Sequence, residues 1–378
     1  MSLTHYTVNL NRGVMEDMKG AIRLTAVFFA LSALASPEAF AQPSVTTLSG
    51  TIASGQALTI IGAGFGAKTQ VQPVSWDDFD GGTNSSTLGA PVIGDTWTFH
   101  NLATSSPVSA SYSNALLRTN SSLSAKCSMS ASNGQSVCSF GWTGHSHSQL
   151  YFTYWRYNTP SGTVTRNHKQ FYVFGNSSSD LPQVLLASIP CADPTWQVYD
   201  NQDENEYNTA GWTFDNTNDL WQRGEGLVKL NEPYTSSNGV FQVWKDGVLG
   251  VDVSTMKIRD TDNLFDDFRL GNMHAHDALG QCAAGGDNVV YFDDLYIDTT
   301  PQRVEISDSP TWASSTHREI QLLTSWSDTS VTVTLRNGAF STLNNLYLYV
   351  VDANGDANSE GHLLCTGCPA APTSVVEQ

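Results

Sequence analysis

The side chains best suited to chemistry sit in three aromatic, basic segments. In L-Y-F-T-Y-W-R-Y, Leu150 to Tyr157, a strand's two-residue period puts Tyr154 and Arg156 on one face. In W-Q-R-G-E-G-L-V-K, Trp221 to Lys229, it puts Trp221, Arg223, Glu225 and Lys229 on one face. In N-H-K-Q-F-Y-V-F-G, Asn167 to Gly175, His168, Lys169 and Tyr172 gather near the start. Sugars are held by aromatic rings stacked on their C–H faces and by planar polar groups paired with hydroxyls. Arg and Lys add neutralisation of uronate carboxylates. The chain has 18 Lys and Arg against 36 Asp and Glu, so basic residues collected in these segments carry information. The competing reading is structural: the rings fill a core and the charges lie on a wetted face. Two H-x-H pairs, His145/His147 and His274/His276 with Asp277 beside the second, have the i, i+2 spacing to grip a transition metal from a strand. Their G-H-S-H-S and M-H-A-H-D settings read as surface loops.

The elements that must position these groups are strands. Segments rich in Thr, Val, Tyr, Phe and Trp alternate with Gly, Asn, Asp and Ser, and nothing beyond the N-terminal region reads as helix. Val331, Val333 and Leu335 alternate with Thr332, Thr334 and Arg336, giving one apolar and one wet face. Asn238-Gly239 and Asn337-Gly338 are turn signals. The fold class is all-β. Residues 18–41 read as a signal peptide: Lys19 and Arg23, an apolar run from Leu24 to Ala35 too short to span a membrane, then Ala39-Phe40-Ala41. That predicts translation from Met18 or Met15, cleavage near Ala41, and a secreted, periplasmic or cell-surface protein without membrane insertion. The net charge of −18 disfavours nucleic acid and anionic membranes. It suits a neutral or cationic partner, or bound Ca²⁺. Six cysteines, all after the leader, suit an oxidising compartment. Cys127 and Cys138 flank an Asn-Gly pair, which predicts a hairpin-spanning disulfide; Cys191 would then join Cys282, and Cys365 would join Cys368 in the Pro-rich tail. Oligomeric state is left open by the sequence.

Two segments at opposite ends of the chain resemble halves of one domain. S-G-Q-A-L-T-I-I-G-A-G-F-G, Ser54 to Gly66, resembles the opening strands of an IPT/TIG domain, an immunoglobulin-like sandwich. W-S-D-T-S-V-T-V-T-L-R-N-G-A-F, Trp326 to Phe340, with L-Y-L-Y-V-V-D-A-N-G after it, resembles the closing strands. R-V-E-I, Arg303 to Ile306, would resume that domain. The chain between opens with W-D-D-F-D-G-G and closes with V-V-Y-F-D-D-L-Y-I-D. With G-V-F-Q-V-W-K-D-G, Gly239 to Gly247, it resembles the concanavalin A-like jelly roll of lectins and polysaccharide lyases. The resulting division is a leader to 41, a split IPT/TIG-like sandwich over 42–74 and 301–368, an inserted jelly roll over 75–300, and a tail over 369–378. It predicts that Leu58 and Val333 share one sandwich, and that Asp77 to Asp80 face Asp293 and Asp294.

Such a jelly roll implies a polysaccharide partner and, in some members, β-elimination. That reaction needs a cation for the uronate carboxylate, a base for the C5 proton and an acid for the leaving oxygen. Lys169, Tyr172 and His168 are the candidates for base and acid, with Arg156 or Arg223 as neutraliser. The lyase signatures R-T-E-x-R and Q-I-H are missing, as are E-x-D-x-x-E and G-x-S-x-G. Hydrolysis would need two carboxylates across a groove, for which Glu204, Glu206 and Glu225 are the candidates. The resemblance also implies a structural Ca²⁺, with Asp77, Asp78, Asp80, Asp293 and Asp294 as ligands; Asp260, Asp262, Asp266 and Asp267, and Asp200, Asp203, Glu204 and Glu206, are further acidic runs. The expectation is a secreted protein that recognises a polysaccharide outside a bacterial cell. A polysaccharide lyase is the alternative, and a structural or adhesive surface protein the third reading.

Overall fold

Alternating apolar residues make strands throughout, and the computed structural model describes residues 42–103, 110–129, 136–160, 167–175, 183–188, 196–200, 206–208, 220–275 and 288–368. The chain opens with β1 (Ser44–Gly50) and β2 (Ala57–Ala63). There follow β3 (Ser75–Asp77), β4 (Thr98–Ala103), β5 (Ser111–Ser113), β6 (Ser124–Met129), β7 (Ser136–Trp142), β8 (Gln149–Pro160) and β9 (Asn167–Gly175). Next come β10 (Gln183–Ser188), β11 (Trp196–Asp200), β12 (Glu206–Asn208), β13 (Trp221–Lys229), β14 (Gly239–Lys245), β15 (Val248–Met256), β16 (Phe265–Ala275) and β17 (Asn288–Asp298). The chain closes with β18 (Arg303–Ser307), a 3-10 turn at Trp312–Ser314, β19 (Arg318–Trp326), β20 (Ser330–Thr334), β21 (Tyr347–Val351) and β22 (His362–Leu363).

The first and last strands form one sheet, in the order β1-β2-β20-β19-β18-β21-β22. Leu58 pairs directly with Val333. The terminal core mixes both ends: Leu58, Ile60 and Phe65 meet Val304, Ile306, Val331, Val333, Leu348 and Val350. Phe65 is fully buried and edges Trp326 at 6.3 Å, while the Trp326 indole donates to the Gly66 carbonyl at 2.9 Å. Gly64 and Gly66 bracket Phe65 at φ of 74° and 71°, which aims that ring inward.

The intervening strands form two further sheets. The outer sheet runs β12-β11-β10-β9-β16-β7-β4; the seam sheet runs β15-β14-β13-β8-β17-β6-β5, with β3 also on β17. Between them lies the largest core. Phe152 of the seam sheet meets Phe171 at 4.8 Å and Phe268 at 5.0 Å, both of the outer sheet and both edge-on. Gly224 and Gly226 make room for this: a side chain at either would strike the rings of Tyr154 and Phe152 on β8. Cys127 on β6 and Cys138 on β7 are bonded, with Cα atoms 5.4 Å apart. Those strands belong to different sheets, so this disulfide does not span a hairpin as the Asn-Gly pair suggested; it ties sheet to sheet. Cys365 and Cys368 are also bonded. Cys191 and Cys282 lie outside the described residues.

The back of the seam sheet packs on the terminal sheet. Trp76, Tyr151 and Tyr296 cluster there with Leu227, Ile320 and Leu322. Asp77 of β3 pairs with Leu295 of β17, so the two ends of the intervening segment run side by side. Lys68 adds a buried bond to Asp298 at 2.7 Å.

Candidate functional site

The register of β8 against β13 decides the fate of the largest predicted set. Tyr154 lies opposite Gly224, and Arg223 lies opposite Trp155. Tyr154 and Arg156 therefore point into the core between the sheets, at 0% and 1% exposure. Burial pushes the Arg156 guanidinium down to about 10, and burial holds the Tyr154 phenol far above its usual value. Arg223 and Glu225 point the other way, toward the terminal sheet. The predicted groove is thus two populations on opposite faces of one sheet. Of the rest of that set, Trp221 is half-buried and donates to the Leu117 carbonyl at 3.2 Å, and Lys229 is exposed.

Arg223 and Glu225 belong to a buried ionic lattice rather than to an open groove. Arg223 forks onto Glu305 at 2.7 and 3.0 Å and donates to Thr153 at 2.9 Å. Glu225 accepts the Tyr151 hydroxyl at 2.8 Å and Arg303 at 3.1 Å. Arg303 also bonds Glu305, and Arg318 lies 3.2 Å from it. Burial alone would raise the Glu305 carboxyl; Arg223, Arg303 and Arg318 overcome it and hold the group well below the carboxylate range.

The outer sheet carries a second constellation. Along β9, Phe171 and Val173 enter the core, leaving Tyr172 and Phe174 on the opposite face. Strict alternation would set Lys169 against Tyr172. A bulge at Gln170 breaks the register, which steps from Phe171 to Lys169 against both neighbouring strands. Lys169 is thereby re-aimed, with its ammonium 5.2 Å from the Tyr172 ring centre. The rings of Tyr172 and Phe174 stack at 4.7 Å and 14°. From β16, Arg269 caps Phe174 at 4.5 Å and is steadied by Asp267 at 2.9 Å. Lys169, Phe174 and Arg269 are half-buried. Burial lowers the Lys169 ammonium and raises the Tyr172 phenol, the latter opposed by Arg269. His168 pairs through its backbone with His274; both side chains lie outside the described residues. Phe174 and Arg269 were missed in the sequence because cross-strand neighbours are not written in it; the only trace was the in-phase pair Asp267 and Arg269.

The predicted calcium carboxylates do come together, but protein donors already hold them. Arg336 bridges Asp78 at 3.1 Å and Asp294 at 3.0 Å, and Arg118 also pairs with Asp294. Asp80 accepts the Ser122 and Leu123 amides at 2.7 and 2.9 Å. Asp293 accepts the Ser121 hydroxyl at 2.8 Å, and Asp77 accepts the Phe79 amide at 3.0 Å. Two guanidiniums inside the cluster supply the positive charge a calcium ion would bring, so these residues do not fit one. Among the described residues no group of three or more His, Cys, Asp or Glu is arranged to hold a metal. His145 and His147 stack on each other at 5.6 Å beside Trp142, and His147 is lowered by burial and then by His145. Asp260 and Asp262 are exposed. Asp203, Glu204, His276 and Asp277, and the side chains of Asp200 and Glu206, lie outside the described residues.

No protein-family model matches the chain, and no curated protein matches it. Among solved structures, it is similar to the cellulose-induced protein Cip1, at 14% identity over 60% of this chain and 97% of that one, with a TM-score of 0.41. It is similar to the marine PL-14 alginate lyase from Aplysia kurodai, at 14% identity over 53% and 89%, with a TM-score of 0.39. It is also similar to the endo-β-1,4-glucuronan lyase from the fungus Trichoderma reesei, at 11% identity over 60% and 96%, with a TM-score of 0.39. Likenesses of this size carry no information about what the chain binds. The class is defined by the strands themselves: an all-β protein in which a two-sheet sandwich packs on a sheet made from both chain ends.

Proposed function

We propose that this is an extracellular protein that recognises an acidic polysaccharide on the outer-sheet strip of Lys169, Tyr172, Phe174 and Arg269. One observation carries the reading: two stacked rings are flanked by cations at 5.2 and 4.5 Å, on the sheet face opposite the core. The flanking cations take a uronate carboxylate, and the edge of the half-buried Phe174 ring takes the sugar's apolar side. The leader read over 18–41 supplies the extracellular setting. Affinity gels carrying alginate, pectin or a glycosaminoglycan should retard the protein, while neutral glucans should not. Lys169→Ala and Tyr172→Ala should each weaken retention about tenfold. Unchanged retention in both variants would remove the strip from recognition.

A second reading, a polysaccharide lyase, draws on the Lys169–Tyr172 juxtaposition. Burial lowers the Lys169 ammonium, which makes its amine a readier acceptor of the C5 proton, and raises the Tyr172 phenol, which can donate to the O4 leaving oxygen as the C4–O4 bond breaks and a C4=C5 double bond forms. Ultraviolet absorbance of the unsaturated product decides between the readings. Its growth on a uronate polymer, lost in Lys169→Ala, selects the lyase; a flat trace with intact binding selects recognition alone.

A further inference from the structure

Where the seam sheet meets the terminal sheet, the ionic lattice borders a cavity of about 230 Å³. Its floor is the back of the seam sheet, with Glu225 and Leu227 from β13 and Gln242 and Trp244 from β14. Its roof is the terminal part of the chain: Arg303, the turn residue Trp312, Arg318, and the Asn354-Gly355 turn after β21. Neither the seam sheet nor the terminal sheet encloses this space alone. Sheet packing that merely sealed one against the other would fill such a gap with apolar side chains. Here two half-buried indoles line it together with carboxylate, guanidinium and amide groups.

The polar walls are unevenly satisfied. Glu225, Arg303 and Arg318 are 4%, 3% and 7% exposed. The Arg318 Nε lies 3.2 Å from Glu305, whereas the second oxygen of Glu225, 3.6 Å from both Arg223 and Arg318, makes no hydrogen bond among the described residues. Buried groups in that state cost free energy until something completes them. The charge is uneven as well. Arg223, Arg303 and Arg318 share Glu225 and Glu305, which leaves one positive charge in excess. Asp246, whose carboxyl burial raises, lies beyond Arg223 and accepts its backbone amide at 2.7 Å. Arg318 lies flat on the Trp312 ring at 4.1 Å, and Arg303 on the Tyr151 ring at 4.3 Å, so both guanidiniums are fixed in place.

We infer that this cleft between the seam sheet and the terminal sheet is a second binding site, for a single sugar ring bearing a carboxylate. The indoles of Trp244 and Trp312 take the C–H faces, Gln242, Asn354 and Glu225 pair with hydroxyls, and Arg303 and Arg318 take the carboxylate. The volume lies below the roughly 300–1,000 Å³ of pockets for drug-sized ligands, which fits one ring and not a chain. The site lies on the opposite side of the inner sandwich's core from the Lys169 strip and does not depend on it.

The test titrates the full-length chain with methyl glucuronoside, methyl galacturonoside and methyl glucoside, followed by tryptophan fluorescence and ligand-observed NMR. The acidic glycosides should bind and the neutral one should not. Trp244→Ala should weaken acidic binding about tenfold. Gln242→Glu, at a half-exposed site where Asp252 disfavours the outward rotamer, should do the same by charge, and it leaves the core untouched. Three results would overturn the site: no glycoside binds, the neutral glycoside binds equally, or both cleft variants bind as wild type. Retention of polymer on the affinity gels with no binding of single rings would discard the cleft and leave the strip standing.

Discussion

Asp77 shows how one residue couples burial to pH. Its carboxyl is 2% exposed and, among the described residues, accepts only the Phe79 amide at 3.0 Å and, at 3.4 Å, the Trp97 indole. Burial raises it from 3.8 to about 7, and Asp78 and Asp294 push the same way. A carboxyl raised on folding binds its proton more tightly in the native state than in the unfolded one. Its contribution is therefore full below the unfolded value and is lost as pH rises through the folded one, so stability falls between about pH 4 and pH 7. Asp77→Asn keeps an acceptor for the Phe79 amide and carries no titration. The wild type should lose more thermal stability than the variant between about pH 5 and pH 8. Part of the slope should persist, because burial and Asp294 raise Asp293 in the same direction. Parallel pH profiles would show that Asp77 does not titrate in this window. The carboxylates were legible in sequence as a convergent cluster, but not Arg336 and Arg118, which close it from distant parts of the chain.

At the scale of elements, alternation located strands but not their environments. It sorts side chains into two faces and says which is buried only when the other face is wet. β8 is buried on both, by the inter-sheet core and by the terminal sheet, so Tyr154 and Arg156 were indistinguishable from groove residues. The Gln170 bulge was likewise invisible, since an inserted residue leaves no compositional mark. What could be read was the glycine phase of W-Q-R-G-E-G, because Gly224 and Gly226 sit where β8 rings press hardest. The Cys127–Cys138 bond joins the two sheets across 11 residues of sequence. The chain-entropy model assigns about 3 kcal/mol to a loop of this size. Both sulfurs are buried, so the Cys127→Ala, Cys138→Ala double variant should lose about 3 kcal/mol or slightly more in chemical denaturation. A loss under about 0.5 kcal/mol would mean that core packing alone holds the sheets in register.

The whole molecule depends on the seam. Both faces of the seam sheet are used, one for the inner core and one for the terminal sheet, and the second contact is partly ionic. Such a contact is fragile in one direction. Replacing a buried ion pair can be neutral, whereas removing one partner strands the other, at a cost of about 3–5 kcal/mol. Glu305 is fully buried and answers Arg223, Arg303 and Arg318 at once. Glu305→Gln keeps the shape and raises the local excess from one positive charge to two. The expected result is a drop in the unfolding midpoint of about 10 °C. It should come with a calorimetric trace that separates into two transitions as the sandwich and the terminal sheet uncouple. Adding Arg223→Gln returns the excess to one, so the double variant should recover a large part of the loss, although each change alone is damaging. Additive losses in this cycle would mean that Tyr151, Tyr296 and Trp76 hold the sandwich to the terminal sheet without electrostatic help. Recovery would show that the seam is tuned by charge count, with Glu305 as its centre.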